Sequence, residues 1–278
     1  MKIAFKLLCS SILCSTFLFA NADDNVIDFE INRLEKNPDI EVLSVEIATK
    51  KELPVKGWNG YILDVEAKVK SNKVINAKDV LFSDGEYIAL DLLDAKTGKS
   101  LKDIVTPNLT ANYYDESKLI AGNHKAKDKL VVFSDPLCPF CMDYIPDVIK
   151  YVNKNSNKIA LYYYHYPLLK LHPAAGPLSK IMEVAKHLNI KNLELRVYEM
   201  DWDKYFKSNE RDEAKILKAF NTEFKTNITL KDISIYKVKS ELNSDIQMGK
   251  DVMVSGTPSI FVNGVKDNTR LKFETLGK

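Results

Sequence analysis

The spacing of apolar side chains changes character several times along the chain. Ile27, Ile31 and Leu34 recur at i, i+4 and i+7, which predicts an amphipathic helix, with Asp23 and Asp24 near its start. Ile40 to Ile47 reads as a strand whose alternation slips once, near Val42 and Leu43. The clearest strand carries Tyr61, Leu63, Val65, Ala67 and Val69 on one face and Asp64, Glu66, Lys68 and Lys70 on the other. Val80-Leu81-Phe82 and Tyr87 to Leu93 flank Ser83-Asp84-Gly85-Glu86, a hairpin with a strong turn signal. Thr97-Gly98 marks a further turn, and residues 106–126 are mixed and polar, the pattern of a partly helical linker.

Beyond residue 126 the pattern differs. Leu130-Val131-Val132-Phe133 is a continuous apolar run, expected of a strand buried on both faces. Tyr144, Ile145, Val148, Tyr151 and Val152 then fall at helical spacing, and Ile159 to Tyr166 forms a second strand. Strand, helix, strand in this order predicts a βαβ unit. Leu178, Ile181, Met182, Ala185 and Leu188 open a helical stretch that continues through Ile216 to Phe220 and Ile235 to Ile246. Ser259 to Val262 is a strand, and Asn263-Gly264 turns it back into Val265. No internal repeat or low-complexity tract is visible.

Composition adds bounds. The 278 residues carry 40 basic and 38 acidic side chains, a net charge of +2. The surplus is Lys2 and Lys6, within an acid-free stretch of 22 residues. There a basic start precedes the apolar run Leu7 to Ala20, and Ala20-Asn21-Ala22 offers small residues for a signal peptidase. A cleaved signal peptide over residues 1–22 is expected, and the run is short for a membrane span of about 20 residues. The remaining chain is neutral, which argues against nucleic acid as a general partner.

Cleavage would leave two cysteines, in Cys138-Pro139-Phe140-Cys141. Three readings of this CxxC compete. A structural zinc site needs four ligands, and no second CxxC or paired-His motif exists. A structural disulfide closing so small a loop would constrain little chain entropy. A redox dithiol suits an oxidising, exported setting and is the reading carried forward, with no metal and no cofactor. Between a buried strand and a helix, Cys138 would occupy the helix N-terminus, whose unpaired N–H groups favour a thiolate nucleophile. Cys141, one turn further in, would resolve the mixed disulfide. Pro139 suits the first helical turn. Phe140 offers no hydrogen to a thiolate, so a milder depression of the Cys138 pKa is expected than a His there would give.

The run Phe133-Ser134-Asp135-Pro136-Leu137-Cys138-Pro139-Phe140-Cys141, followed by Val254-Ser255-Gly256-Thr257-Pro258, resembles the thioredoxin superfamily. More narrowly it is similar to the bacterial periplasmic disulfide isomerases DsbC and DsbG. The resemblance implies an α+β chain: signal peptide at 1–22, a small cystatin-like dimerisation domain at 23–105, a linker at 106–126, and a thioredoxin fold at 127–278 with a helical insertion at about 172–250. It implies that Pro258 is cis and faces the dithiol, and that Thr257, Pro258, Pro139 and Phe140 contact substrate beside Cys138 and Cys141. The implied activity is a periplasmic disulfide isomerase acting on misfolded exported proteins. It would be a homodimer kept reduced by a membrane redox partner. A dimeric DsbA-like thiol oxidase and a periplasmic chaperone with secondary redox activity remain open. Two departures stand out: Val132 lies where relatives carry a buried acid, and only about fourteen residues follow Asn263-Gly264. His124, His165, His172 and His187 show no metal spacing, the tyrosines at 162–164 and 166 read as strand packing, and Asp135 reads as a turn former or an electrostatic tuner.

Overall fold

The computed structural model describes residues 22–70, 72–188 and 190–278. The expected signal segment, apart from Ala22, lies outside them. The chain divides into two compact units, Met1–Lys102 and Asp103–Lys278.

In the first unit, helix α1 (Ala22–Glu35) precedes strands β1 (Ile40–Glu52), β2 (Asn59–Val69), β3 (Val74–Ser83) and the short β4 (Ile88–Ala89). These form an antiparallel sheet in the order β1-β2-β3-β4. The alternation slip read near Val42 is a register shift between Val42 and Ser44, where β1 accommodates an extra residue opposite β2. Val26 and the partly buried Ile27, Ile31 and Leu34 of α1 pack with Tyr61, Leu63, Val65, Ala67 and Leu81 of the sheet. Asp23 at the helix start accepts hydrogen bonds from Lys50 (2.6 Å) and Tyr61 (3.0 Å), joining the helix to β1 and β2. The hairpin read at Ser83–Glu86 joins β3 to β4, but only Ile88 and Ala89 of the second arm pair with β3. Asp84 closes its turn by accepting from the N–H groups of Glu86 and Tyr87.

A short helix, α2 (Lys102–Val105), falls at the division between the units. The second unit holds strands β5 (Leu119–Gly122), β6 (Asp128–Ser134), β7 (Ile159–His165), β8 (Ser259–Val262) and β9 (Val265–Lys266). They form a sheet in the order β5-β7-β6-β8-β9, with β6 and β7 parallel and the other pairs antiparallel. Helix α3 (Pro139–Lys154) makes the crossover from β6 to β7. Between β7 and β8 lie α4 (Ala175–Ala185), α5 (Leu193–Glu199), α6 (Glu213–Phe224), α7 (Leu230–Ser234) and α8 (Tyr236–Asp251).

Both faces of the sheet are covered, which is why β6 and β7 read as unbroken apolar runs. Leu130, Val132, Leu161 and Tyr163 face the core shared with Ile145, Val148, Leu178 and Ile181. Val131, Phe133, Tyr162 and Tyr164 face Tyr113, Val252, Val254 and Phe261. In the helical layer Trp202 stacks with Phe220 and Phe224, rings 6.4 and 6.5 Å apart. Residues 106–126, expected as a linker, instead belong to this unit. β5 pairs with β7, and Leu109, Tyr113, Ala121 and Ala126 are buried. Single turns of 3-10 helix at Ala111–Tyr113 and Glu116–Lys118 break any period, so the burial left no pattern to read. After β9 the described chain forms one such turn, Lys272–Thr275, whose Phe273 packs edge-on against Tyr144 and Tyr151 of α3.

Candidate active site

The end of β6 delivers the chain into α3, and Cys138 is the N-cap residue of that helix, with Pro139 in the first turn. A proline costs nothing there because its N–H would find no partner in the helix. The Cys138 carbonyl accepts from the N–H groups of Cys141 and Met142, each at 2.9 Å, closing the first turn around the dithiol. Both cysteines are free thiols. Cys138 is 4% exposed and Cys141 wholly buried, while Pro139 and Phe140 between them are exposed, Phe140 to 69%.

The peptide bond between Thr257 and Pro258 is cis. Both residues are buried, and the Cys138 thiol donates to the Thr257 carbonyl oxygen at 3.5 Å. Cys138, Cys141 and Thr257 are thus brought together from positions 119 residues apart in the chain.

The two sulfurs are electrostatically unequal. A hydrogen bond from the Cys141 thiol, outweighing burial and helped by the N–H groups of Cys141 and Phe140 and by the Thr257 side chain, lowers the Cys138 pKa from 9.0 to about 5. Burial pushes the Cys141 thiol far above its ordinary range, and its hydrogen bond to Cys138 adds to the rise. At neutral pH the outer sulfur is a nucleophile and the inner one a protonated reserve.

Asp135 anchors the approach to Cys138. Its buried carboxylate accepts from Leu137 N–H at 2.8 Å, an Asx turn, and from Leu168 N–H at 2.7 Å. His172 Nδ1 lies 3.0 Å from the same carboxylate. An ionised carboxylate only accepts, so Nδ1 carries the proton in this pair. One side chain therefore both shapes the turn and ties the 168–172 segment to it. The other histidines serve elsewhere: His124 Nδ1 meets the Tyr162 hydroxyl at 2.9 Å, and His187 lines a groove between α4, α7 and α8.

A second buried polar group was not legible in the sequence. Lys118 contacts Asp245 (2.6 Å) and Glu183 (3.5 Å), and His165 Nε2 lies 3.4 Å from Glu183. Burial disfavours an ionised Glu183, but His165, Lys118 and Lys186 outweigh it and hold its carboxyl well below the usual range. These residues come from four separate segments, so no spacing announces them. Among the described residues no group of three or more His, Cys, Asp or Glu is placed to hold a metal ion.

A sheet with α3 as crossover, and a CxxC at that helix's start facing a Thr-Pro loop, define a thioredoxin-fold domain bearing a dithiol. The family model described as Thioredoxin matches residues 115–278, and the chain belongs to that family. No curated protein matches the chain. Three solved structures are similar to it. The thiol-disulfide exchange protein alpha-DsbA2 from Wolbachia pipientis has 20% identity, covering 64% of this chain and 98% of its own, with a TM-score of 0.45. DsbA2 from Pseudomonas aeruginosa has 20% identity over 56% of this chain and 90% of its own, with a TM-score of 0.40. ScsC from Proteus mirabilis, in a transitional conformation, has 18% identity over 65% of this chain and 78% of its own, with a TM-score of 0.43.

Proposed function

We propose that this chain is an exported thiol-disulfide oxidoreductase that works as a protein disulfide isomerase. The observation that supports the oxidoreductase reading, shared by isomerase and oxidase, is the unequal dithiol: Cys138 held as a thiolate at a helix start, Cys141 buried and protonated beneath it. The Cys138 thiolate attacks a substrate disulfide, forming a mixed disulfide and releasing one substrate thiolate. Rearrangement within the substrate, with return of its sulfur to another cysteine, restores the Cys138 thiolate. If rearrangement stalls, Cys141 attacks Cys138 and releases the substrate reduced. The exposed Phe140 and Pro139 supply the surface for an unfolded chain, and the buried Thr257, against Cys138, and Pro258 next to it lie beneath that surface.

The α1 and β1–β4 unit is proposed as the dimerisation domain, and the export signal and membrane redox partner as its periplasmic setting. Tyr87, Leu90 and Leu93 are exposed beyond the edge strand β4 and provide apolar area that a second copy would cover. An oxidase is the second reading, favoured by one observation. Stabilising the Cys138 thiolate stabilises the reduced form, which makes the disulfide oxidising.

Reactivation of a scrambled-disulfide enzyme by the pre-reduced protein, with Cys138→Ala as control, tests the proposal. Recovery that depends on Cys138 and exceeds that of a small thiol supports isomerisation. Absence of recovery, with fast oxidation of a reduced substrate by the oxidised protein, replaces the isomerase with the oxidase. Suppression of aggregation that survives Cys138→Ala without any exchange activity replaces both with a chaperone. Sedimentation at micromolar concentration tests the dimer, which a single monomer species overturns.

A further inference from the structure

The resolving step needs Cys141 to become a thiolate in a fully buried place, and the usual acid is missing. Val132 is an apolar core residue facing the α3 side of the sheet. What the structure puts against Cys141 instead is hydroxyl. Ser134, the last residue of β6 and itself buried, lies close enough to the Cys141 sulfur for its side chain to favour the thiolate. The Tyr198 hydroxyl of α5 donates to Ser134 Oγ at 2.7 Å. The Tyr163 hydroxyl of β7 lies 2.8 Å from the Tyr198 oxygen, and both tyrosines are buried.

The donor order follows from valence. Each hydroxyl has one hydrogen. With the Tyr198 hydrogen placed on Ser134, the contact between the tyrosines has Tyr163 donating to Tyr198. Ser134, having accepted, is free to donate to sulfur. All three hydrogens then point one way and end on Cys141. Hydrogen bonds in such a chain polarise one another, and one ending on an anion is worth more than a neutral pair.

We propose that Ser134 is a catalytic residue of the resolving step, donating to the Cys141 sulfur as it becomes a thiolate, with Tyr198 and Tyr163 as positioning residues behind it. The inference rests on the oxidoreductase reading above. In the step, the Cys141 sulfur bonds to Cys138 Sγ and the bond between Cys138 and the substrate sulfur breaks. That electron pair leaves on the substrate sulfur, which takes up a proton equivalent to the one Cys141 gave up. The dithiol is oxidised by two electrons and the substrate disulfide reduced by two.

Other groups around this chain are few. From α3 the Cys138 sulfur faces Cys141, and from the β6 turn an Asp135 backbone group does. The Asp135 carboxylate is engaged by Leu137, Leu168 and His172. Glu194 of α5 and His165 of β7 lie beside Tyr163, and His165 is taken up by Glu183.

The test follows a mixed disulfide formed between the reduced protein and a labelled peptide disulfide, using wild type, Ser134→Ala and Tyr198→Phe across pH. The rate of formation reads Cys138, and the rate of decay to the Cys138–Cys141 disulfide reads Cys141. Ser134→Ala is expected to slow decay about tenfold or more and move its half-maximal pH upward. Tyr198→Phe, which keeps the ring, is expected to slow decay about threefold. Formation rates should stay unchanged in both, a split that general loosening of the site would not produce. Decay within about twofold of wild type in both variants, at an unmoved half-maximal pH, overturns the inference and leaves the oxidoreductase reading standing. A wild type that forms no mixed disulfide overturns both.

Discussion

Replacing Cys141 by alanine should free Cys138 from the group that does most to hold it ionised. In the native dithiol the Cys138 pKa stands at about 5 against an ordinary 9.0. At pH 7 that leaves about 99% of Cys138 as thiolate, against about 1% for an unperturbed thiol. The full difference corresponds to about 5 kcal/mol favouring the thiolate in the folded protein. Burial of Cys138 opposes its charge and the exposed Pro139 and Phe140 beside it admit some solvent, so roughly half of that is expected to reach the stability. The depressed pKa fixes the sign: stability from the thiolate is fully present above pH 9 and lost as pH falls through about 5. The reduced protein should therefore gain on the oxidised one, which has no thiol to titrate, as pH rises between these limits. The assay is iodoacetamide alkylation followed by mass spectrometry across pH, where Cys138 reacts and the buried Cys141 does not. Wild type should titrate near pH 5, and Cys141→Ala at least about one pH unit higher because only backbone donors and Thr257 remain. A wild-type midpoint above about 7.5, or an unmoved midpoint in Cys141→Ala, would refute the assignment of the hydrogen bond as the main cause.

Three further outcomes can be checked by chemical denaturation or hydrogen exchange. Gly122→Ala should cost more than about 3 kcal/mol, because φ is +81° and a Cβ would stand 1.9 Å from the Ile159 carbonyl oxygen. Lys118→Met should cost about 3–5 kcal/mol by leaving the buried Asp245 without its closest cation, while Glu183 keeps Lys186 at 2.7 Å. Adding Asp245→Leu to that variant should recover part of the loss. Asp135→Ala should cost about 1–3 kcal/mol for each freed amide of Leu137 and Leu168, and speed exchange at Leu168 several-fold.

What could be read from the sequence followed from how local each signal is. From Leu63 onward β2 alternates because one face lies in the core with α1 while Asp64, Glu66 and Lys68 lie on the other, although at its start Ile62 is buried on that second face. β6 reads as an unbroken run because both its faces are covered. The cysteine pair, the proline after Cys138 and the Thr257-Pro258 pair are short motifs, so they stood out without any structure. Residues 106–126 hid their strand because β5 is four residues long and flanked by tight turns. The hydroxyl chain at Cys141 and the ion cluster at Lys118 were invisible for another reason. Their members come from different elements, Tyr198 being 64 positions from Ser134 and Asp245 80 from His165, so only folding puts them together. Asp135 was half read. Its turn role is local, while its grip on Leu168 and His172 depends on β7 ending beside β6.

The chain has two tryptophans, and the fold assigns one to each unit: Trp58 just before β2, half-buried, and Trp202 sealed in its stack with Phe220 and Phe224. Fluorescence therefore carries two separable reports on one molecule. Burial against apolar rings gives Trp202 a blue-shifted emission, while Trp58 emits further to the red. A Trp202→Phe variant would follow the loosening of the α1 and β1–β4 unit alone, and a Trp58→Phe variant the helical layer over α3. Coincident melting curves would describe one cooperative block, and separated ones two units that come apart in turn.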